Sequence, residues 1–356
     1  MKACFLTDDW SWDPEDNLWV PNGAPFYRCA LPAQALRKAG VDAKMGRPWF
    51  TPKDGFGISR GDEGVMGFDT VFLKLLMQKK QLAQVRRAKE LGQRVIVDID
   101  DFFPGVHHTN AASVALSEQV NPNRNMAWHE QIALAADTIT VSTPFLRDYY
   151  SLLHPDVRLV RNGIIPDMFA EYQRTQDRFP TLGWMGAIGW RSQDLEVMSG
   201  WLPKYLADRG YGFHHSGHVE GQPFAVDLIG IPKNGTSIMY MQPIHRLGKL
   251  MQFDIGLVPL NNLPFNHAKS NLKGLEYAAS GIPFIASDLP EYRLLADSGV
   301  GAVATTDEEW YWAAEALRPR RARVEAAEAA REVVLRDHTI EARTPEWVSV
   351  IERETV

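Results

Sequence analysis

Apolar and polar positions along this chain alternate between two periods. Short apolar runs bounded by Gly, Pro, Asn or Asp read as strands, and stretches with apolar residues three and four apart read as helices. Residues 3–6 form the first strand, and a twenty-residue loop dense in Asp, Trp, Pro and Gly follows it. A helix over 27–39, stopped by Gly40, leads to a second strand at 41–44. Residues 68–75 open as a strand, 79–91 form a basic helix ended by Gly92, and 94–99 form a strong strand running into Asp100 and Asp101. The pattern then predicts a helix at 125–136, a strand at 138–142, a helix start at 144–150 and a last strand at 159–161. After a polar linker the alternation resumes with a strand at 182–186, a helix at 193–206 and a strand at 212–215. Apolar fragments at 227–231 and 238–241 and a helix at 245–252 come next. Towards the end, helices at 289–297, 308–317, 320–336 and 347–353 surround a strand at 302–304. Strands alternating with helices imply parallel, doubly wound sheets.

One unit carries more information than its periodicity. Residues 254–260 are an apolar run closed by Pro259 and the Asn261-Asn262 pair; 269–280 has helical spacing; 284–286 is a second strand. Leu272, Leu275 and Ala279 share one helix face, while Lys269, Lys273, Glu276 and Ser280 share another. Gly281 and Pro283 stop the helix. The polar stripe therefore starts just past the carboxyl end of a strand, where open α/β sheets bind ligands. A helix N-terminus with Lys269 and Ser270 beside it suits a phosphate, and Glu276 is placed to accept hydrogen bonds from a ribose diol. The competing reading is a solvated Lys273/Glu276 surface pair.

The segment KSNLKGLEYAASGIPFIAS resembles the nucleotide-sugar-binding segment of GT-B glycosyltransferases, close to glycosyltransferase family 4. In that family a Glu-x7-Glu motif spans this loop and helix; Glu276 matches the second Glu, and Ala268 stands where the first belongs. The Lys269-Ser270 pair resembles a variant branch of the family. The resemblance covers nearly the whole chain. It implies an α/β GT-B fold, two Rossmann-like domains facing across a cleft, with the last helix crossing back onto the first domain. The expected boundaries are an acceptor domain at 1–165, a linker at 166–180, a nucleotide-sugar domain at 181–325 and C-terminal helices at 326–356.

Composition agrees with two globular domains. The chain has 356 residues, 45% hydrophobic and 23% charged, and a net charge of −6 that provides no general nucleic-acid field. Two cysteines, Cys4 in an apolar strand and Cys29, point to buried thiols and a reducing compartment, the cytoplasm. The start MKACFLTDDW reads as neither a signal peptide nor a membrane anchor, so no stable membrane insertion is expected.

Other candidates surround the same chemistry. The turn from Gly183 to Ser192 follows a strand and opens a helix; Gly186 and Ala187 let the backbone approach an anion, and Arg191 is placed to pair with a departing diphosphate. A plain strand-to-helix turn is the alternative, and the absence of a GxGxxG argues against dinucleotide redox chemistry. Asp98, Asp100 and Asp101 put carboxylates at a strand's carboxyl end. Read literally, Asp98-x-Asp100 is a GT-A metal motif; the resemblance instead puts Asp100 or Asp101 in the cleft, with His107 and His108 nearby on the acceptor side, orienting hydroxyls or acting as a base. Loop or capping carboxylates are the bland alternative. Gly23 lies in the loop that, by resemblance, approaches the diphosphate, and Arg28 one turn later either reaches the cleft or covers its surface. The lead-in from Asp8 to Trp19 is placed to form an acceptor lid. By resemblance, His245, Asn266, Ser270, Asn271 and Leu272 lie close to the donor. His214, His215 and His218 have no acidic or Cys partner in the sequence that would suggest a metal site.

The sequence thus reads as a glycosyltransferase moving a sugar from a UDP- or GDP-sugar to an acceptor hydroxyl, and the resemblance to family 4 implies retention of configuration with no cofactor or metal required. The alternatives are a sugar-nucleotide epimerase on the same fold and a non-catalytic nucleotide-sugar binder. The acceptor is a polysaccharide, a protein, a lipid carrier or a modified nucleic-acid base.

Overall fold

The computed structural model describes residues 2–59, 65–169, 180–190, 192–244, 246 and 251–352. Most of the expected linker lies outside these residues. Two parallel six-stranded sheets form the frame. The first runs in the order Val157–Leu159, Thr138–Val141, Arg94–Ile99, Thr70–Lys74, Lys2–Thr7, Asp42–Gly46. The second runs Thr236–Tyr240, Phe213–His218, Leu182–Met185, Ile255–Val258, Phe284–Ser287, Ala302–Ala304. Every residue of Arg94–Ile99 and Ile255–Val258 is buried, as expected for central parallel strands covered on both faces.

Strand order reverses once in each sheet, between Lys2–Thr7 and Thr70–Lys74 in the first and between Leu182–Met185 and Ile255–Val258 in the second. Such switch points open crevices at the strand carboxyl ends. The segments with candidate chemistry leave those ends: residues 8–28, 75–77 and 100–101 from the first sheet, 186–187 and 260–276 from the second.

Several elements differ from the sequence expectation. The lead-in after the first strand is an antiparallel hairpin, Trp10–Asp13 paired with Leu18–Pro21. The first helix starts earlier than expected and contains a π-helical segment, Phe26–Ala30, between Gly23–Pro25 and Leu31–Lys38. A three-stranded antiparallel sheet, Trp49–Thr51, Gly55–Ser59 and Val65–Gly67, was not apparent in the sequence, because each segment is short and two carry glycines. The Gln93 side chain pins it by bonding both the N–H and the carbonyl of Phe56. The expected 193–206 helix is broken into Ser192–Leu195, Glu196–Ser199 and Leu202–Arg209. Gly200 caps the end of the second segment, and Pro203 restarts the helix at its first turn. The fragment expected near 227–231 is a helix, Ala225–Ile229. The strand expected at 159–161 is Val157–Leu159.

The last helix, Ile340–Glu352, returns to the first sheet. Its buried Trp347 meets Phe5 and Phe72 edge-on at 5.7 and 5.9 Å. Arg94 donates to the carbonyls of Val350 and Ile351, satisfying the helix's last turn. One apolar cluster consequently runs from Phe5 and Phe72 through Val334 and Trp347 to Tyr277 and Phe284 of the second domain. No helix among the described residues is long and apolar enough to cross a membrane.

Candidate active site

The crevices of the two sheets face each other and form one cavity of about 1010 Å³. Gly23, Tyr27, Arg28, Asp100 and Asp101 line it from the first domain; Gly186, Ala187, Lys269, Ser270, Leu272 and Glu276 line it from the second.

Glu276 belongs to Leu272–Ala279, and its neighbours Leu275 and Tyr277 are anchored in the core. It is only 6% exposed, so a solvated Lys273/Glu276 pair is not what forms. Tyr27 donates its hydroxyl to Glu276 Oε1 at 2.7 Å, across the cleft. Burial, with the Glu276 carboxylate alongside, pushes the Tyr27 pKa far up, so the phenol stays protonated. Lys273 reaches the carbonyl of Met185, just before Gly186. The N-terminal end of this helix, the positive end of its dipole, borders the cavity through Ser270 and Leu272.

Lys269 lies over the Phe265 ring and pairs with Asp101 at 2.6 Å. Asn162 donates to the Ser270 hydroxyl at 2.9 Å, and Thr143 donates to the Ala268 carbonyl at 3.1 Å. Ala268 is fully buried within an apolar cluster of the first domain. The loop before the helix is therefore plugged into the opposite domain, and a glutamate at 268 would put its charge in that cluster.

Behind Asp101 lies a buried network. Asp98 accepts from Arg28 at 2.7 Å, from Lys74 at 3.2 Å and from Thr140 at 2.8 Å, and Lys74 also pairs with Asp100. Burial alone would raise the Asp98 pKa; the Arg28 and Lys74 cations outweigh it and hold that carboxyl below its ordinary value. Asp100 is raised by burial and by the neighbouring Asp101 and Asp98, with Lys74 opposing. Leu75 follows Lys74 with φ of 57°, a left-handed conformation rare for leucine, and lines the cavity. Neither this strained residue nor the Lys74 bridge has a signal in local sequence pattern.

In the second domain the turn at Gly186 is fixed from beneath. His215 stacks on Trp184 and donates from Nε2 to the Gly186 carbonyl at 2.9 Å. Gly217 has φ of 109°, and a Cβ there would sit 3.0 Å from the Gly186 backbone, so only glycine fits. The Gly186 N–H donates to Ser216 O and the Gly189 N–H to Gln222, so these two amides serve the fold.

The remaining expected site residues are placed differently. Arg28 is buried, neither surface cover nor an acceptor group; besides Asp98 it binds the Val160 carbonyl and Asn162 and lies over Trp347. Asn266 is buried against Asp194 at 2.6 Å, and Asn271 is buried with its amide toward the Glu291 carbonyl. His108 is exposed, with its ring against His107. Gly23 borders the cleft with nothing within 4 Å of a built Cβ. Arg191 and His245 lie outside the described residues. Among the described residues, His214, His215 and His218 do not join any group of metal-ligating side chains.

No protein-family model matches the chain, and no curated protein matches it. Solved structures do. A sucrose-phosphate synthase from Thermosynechococcus elongatus is similar over 99% of both chains, at 14% identity and a TM-score of 0.65. Anabaena HepE in complex with UDP-glucose is similar over 99% of this chain and 100% of its own, at 12% identity and a TM-score of 0.63. A glycosyltransferase from Rickettsia africae ESF-5 is similar over 91% and 93%, at 12% identity and a TM-score of 0.61. At these identities the likeness is one of fold: the chain has the GT-B architecture.

Proposed function

We propose that this chain is a glycosyltransferase that moves a sugar from a nucleoside-diphosphate sugar to an acceptor hydroxyl. The observation that carries the reading is the convergence, in one interdomain cleft, of a helix N-terminus flanked by Lys269, a buried carboxylate at Glu276 and the Asp100/Asp101 strand end. The GT-B neighbours, one of them in complex with UDP-glucose, favour the same substrate class.

In this reading the donor diphosphate lies against the first turn of Leu272–Ala279, where the helix N-terminus and Lys269 stabilise the charge that develops as the glycosidic bond breaks. Glu276 accepts hydrogen bonds from the ribose hydroxyls, and a uridine or guanosine base lies beyond it. Lys269 exchanges Asp101 for the diphosphate on loading, and Asp101 then turns to the acceptor hydroxyl. Asp100, tied to Lys74, supports that carboxylate from behind. Contacts through Ala268, Ser270 and Tyr27 hold the domains closed and exclude water, which limits donor hydrolysis. Transfer with retention and without a metal is part of the proposal. Retention rests on the family resemblance; the metal-free part is supported by the engagement of Asp98 by Arg28, Lys74 and Thr140, which leaves Asp98-x-Asp100 poorly suited to a cation.

Mass spectrometry after incubation with a panel of UDP- and GDP-sugars tests the class. Glu276→Ala and Lys269→Ala are each expected to weaken donor binding or turnover by roughly tenfold or more, the loss of a charge-assisted hydrogen bond. Unchanged affinity and turnover in both variants would falsify the donor site. Ala268, in place of the resembled family's first Glu, favours a second reading, a non-catalytic binder; a donor that binds yet is neither transferred nor hydrolysed would establish it. An epimerised donor formed without any acceptor would point to the epimerase.

A further inference from the structure

The hairpin after the first strand presents aromatic surface that the donor chemistry leaves unused. Its register pairs Trp12 with Trp19 on one face, while Val20 and Asp13 on the other face are buried. The two indoles meet edge-on at 5.7 Å, yet Trp12 remains 46% and Trp19 52% exposed. A two-stranded ribbon is marginal alone. This one is held rigidly: Asn22 donates to Asp9 at 2.6 Å, Ser11 bonds Asn22 at 2.5 Å, and Arg246 of the second domain pairs with Asp13, Glu15 and Asp16. Arg47 covers part of Trp19 at 4.3 Å. Ser11, Trp12 and Asp13 also line the cleft, so the aromatic face continues the cavity on its first-domain side.

We propose that Trp12 and Trp19 form the platform on which a neutral saccharide acceptor lies; the inference rests on the glycosyltransferase reading and names its acceptor class. Exposed indole faces attract the weakly positive C–H face of a pyranose ring, whose hydroxyl rim needs acceptors close by. Asp8, Asp9 and Ser11 provide them at the cleft mouth. Charge decides against the alternatives. Residues 8–22 include Asp8, Asp9, Asp13, Glu15 and Asp16 and no Lys or Arg. Arg246 answers Asp13, Glu15 and Asp16, and Arg47 lies on Trp19, so the lip stays net negative with Asp8 and Asp9 unmatched by these two cations; it disfavours a nucleic-acid backbone or an anionic lipid surface and tolerates a neutral polyol.

The test compares the wild type with Trp12→Ala/Trp19→Ala and Trp12→Phe/Trp19→Phe double variants in isothermal titration without donor. The probes are neutral malto-, cello- and manno-oligosaccharides, a heparin-derived oligosaccharide, and phosphatidylcholine and phosphatidylglycerol vesicles. A neutral oligosaccharide is expected to bind, roughly tenfold more weakly to the Ala variant and nearly normally to the Phe variant, which keeps a stacking ring. UDP-glucose affinity, measured in parallel, is expected to stay within about twofold. Failure of every neutral oligosaccharide to bind, equal binding by all three proteins, preference for heparin or vesicles, or a dimer that the Ala variant abolishes would each overturn the platform. Failure of the wild type to bind any UDP- or GDP-sugar, with oligosaccharide binding intact, would instead sink the glycosyltransferase reading and leave the platform standing.

Discussion

At the scale of single residues, the site rests on partners far apart in sequence. Tyr27 and Glu276 lie 249 positions apart and Asp101 and Lys269 lie 168 apart, yet each pair closes one side of the same cleft. Tyr27 sits in the π-helical segment, whose wider turn is a common device at functional sites. Its hydroxyl fixes one oxygen of Glu276. In the reading proposed above, Tyr27 is a positioning residue. Tyr27→Phe is expected to raise the donor KM roughly tenfold while kcat stays within about twofold, because a hydrogen bond to a charged group is lost without touching the reacting atoms. Steady-state kinetics with varied donor checks it; an equal fall in kcat would place Tyr27 in the chemical step.

At the scale of elements, the loop and helix at 260–279 act as a joint between the domains. Lys269, Ser270 and Glu276 were singled out by spacing and resemblance on an expected helix over 269–280; the helix starts only at Leu272, so Glu276 lies on it while Lys269 and Ser270 lie in the loop before it. What the spacing did not reveal is that Ala268 docks into the first domain's apolar cluster, with its carbonyl held by Thr143. The missing glutamate thus has a packing reason. Ala268→Glu is expected to lower stability by about 3 kcal/mol, the penalty of an uncompensated buried charge, and not to strengthen donor binding. Urea denaturation and donor titration of the variant check both halves; a stable variant with tighter donor binding would contradict the docking argument. The hairpin shows the opposite limit of sequence reading. Its four-residue strands, rich in Trp and Asp with interrupting Pro, look like a loop until Arg246 and Asn22 anchor them.

At the scale of the molecule, buried histidines tie stability to pH. His129, His214 and His215 are each depressed to about 4, chiefly by burial, against an ordinary value near 6.5. A histidine kept neutral in the fold contributes stability above its unfolded pKa and loses it as pH falls toward its folded pKa. The midpoint of urea unfolding is therefore expected to fall between pH 6.5 and 4, before Asp98, held below its ordinary value, begins to titrate. Each fully neutral histidine contributes a slope of up to about 1.4 kcal/mol per pH unit. His129→Gln should flatten that slope; a midpoint independent of pH across the window would show that these imidazoles do not set acid stability.

The sequence by itself determined the two alternations of strand and helix, the strong strand into Asp100 and Asp101, and the helix that carries Glu276. Periodicity and turn residues act locally, so they are written within a dozen positions. Only the tertiary structure decided which groups meet. It turned the expected surface pair into a buried carboxylate held by Tyr27 and locked Arg28 into the Asp98 network. It broke the 193–206 helix at Gly200 and Pro203 and folded the Trp-rich lead-in into a hairpin at the cleft mouth. Those outcomes depend on close packing between segments from about a dozen to some 250 residues apart, and no local pattern encodes which segment will arrive opposite another.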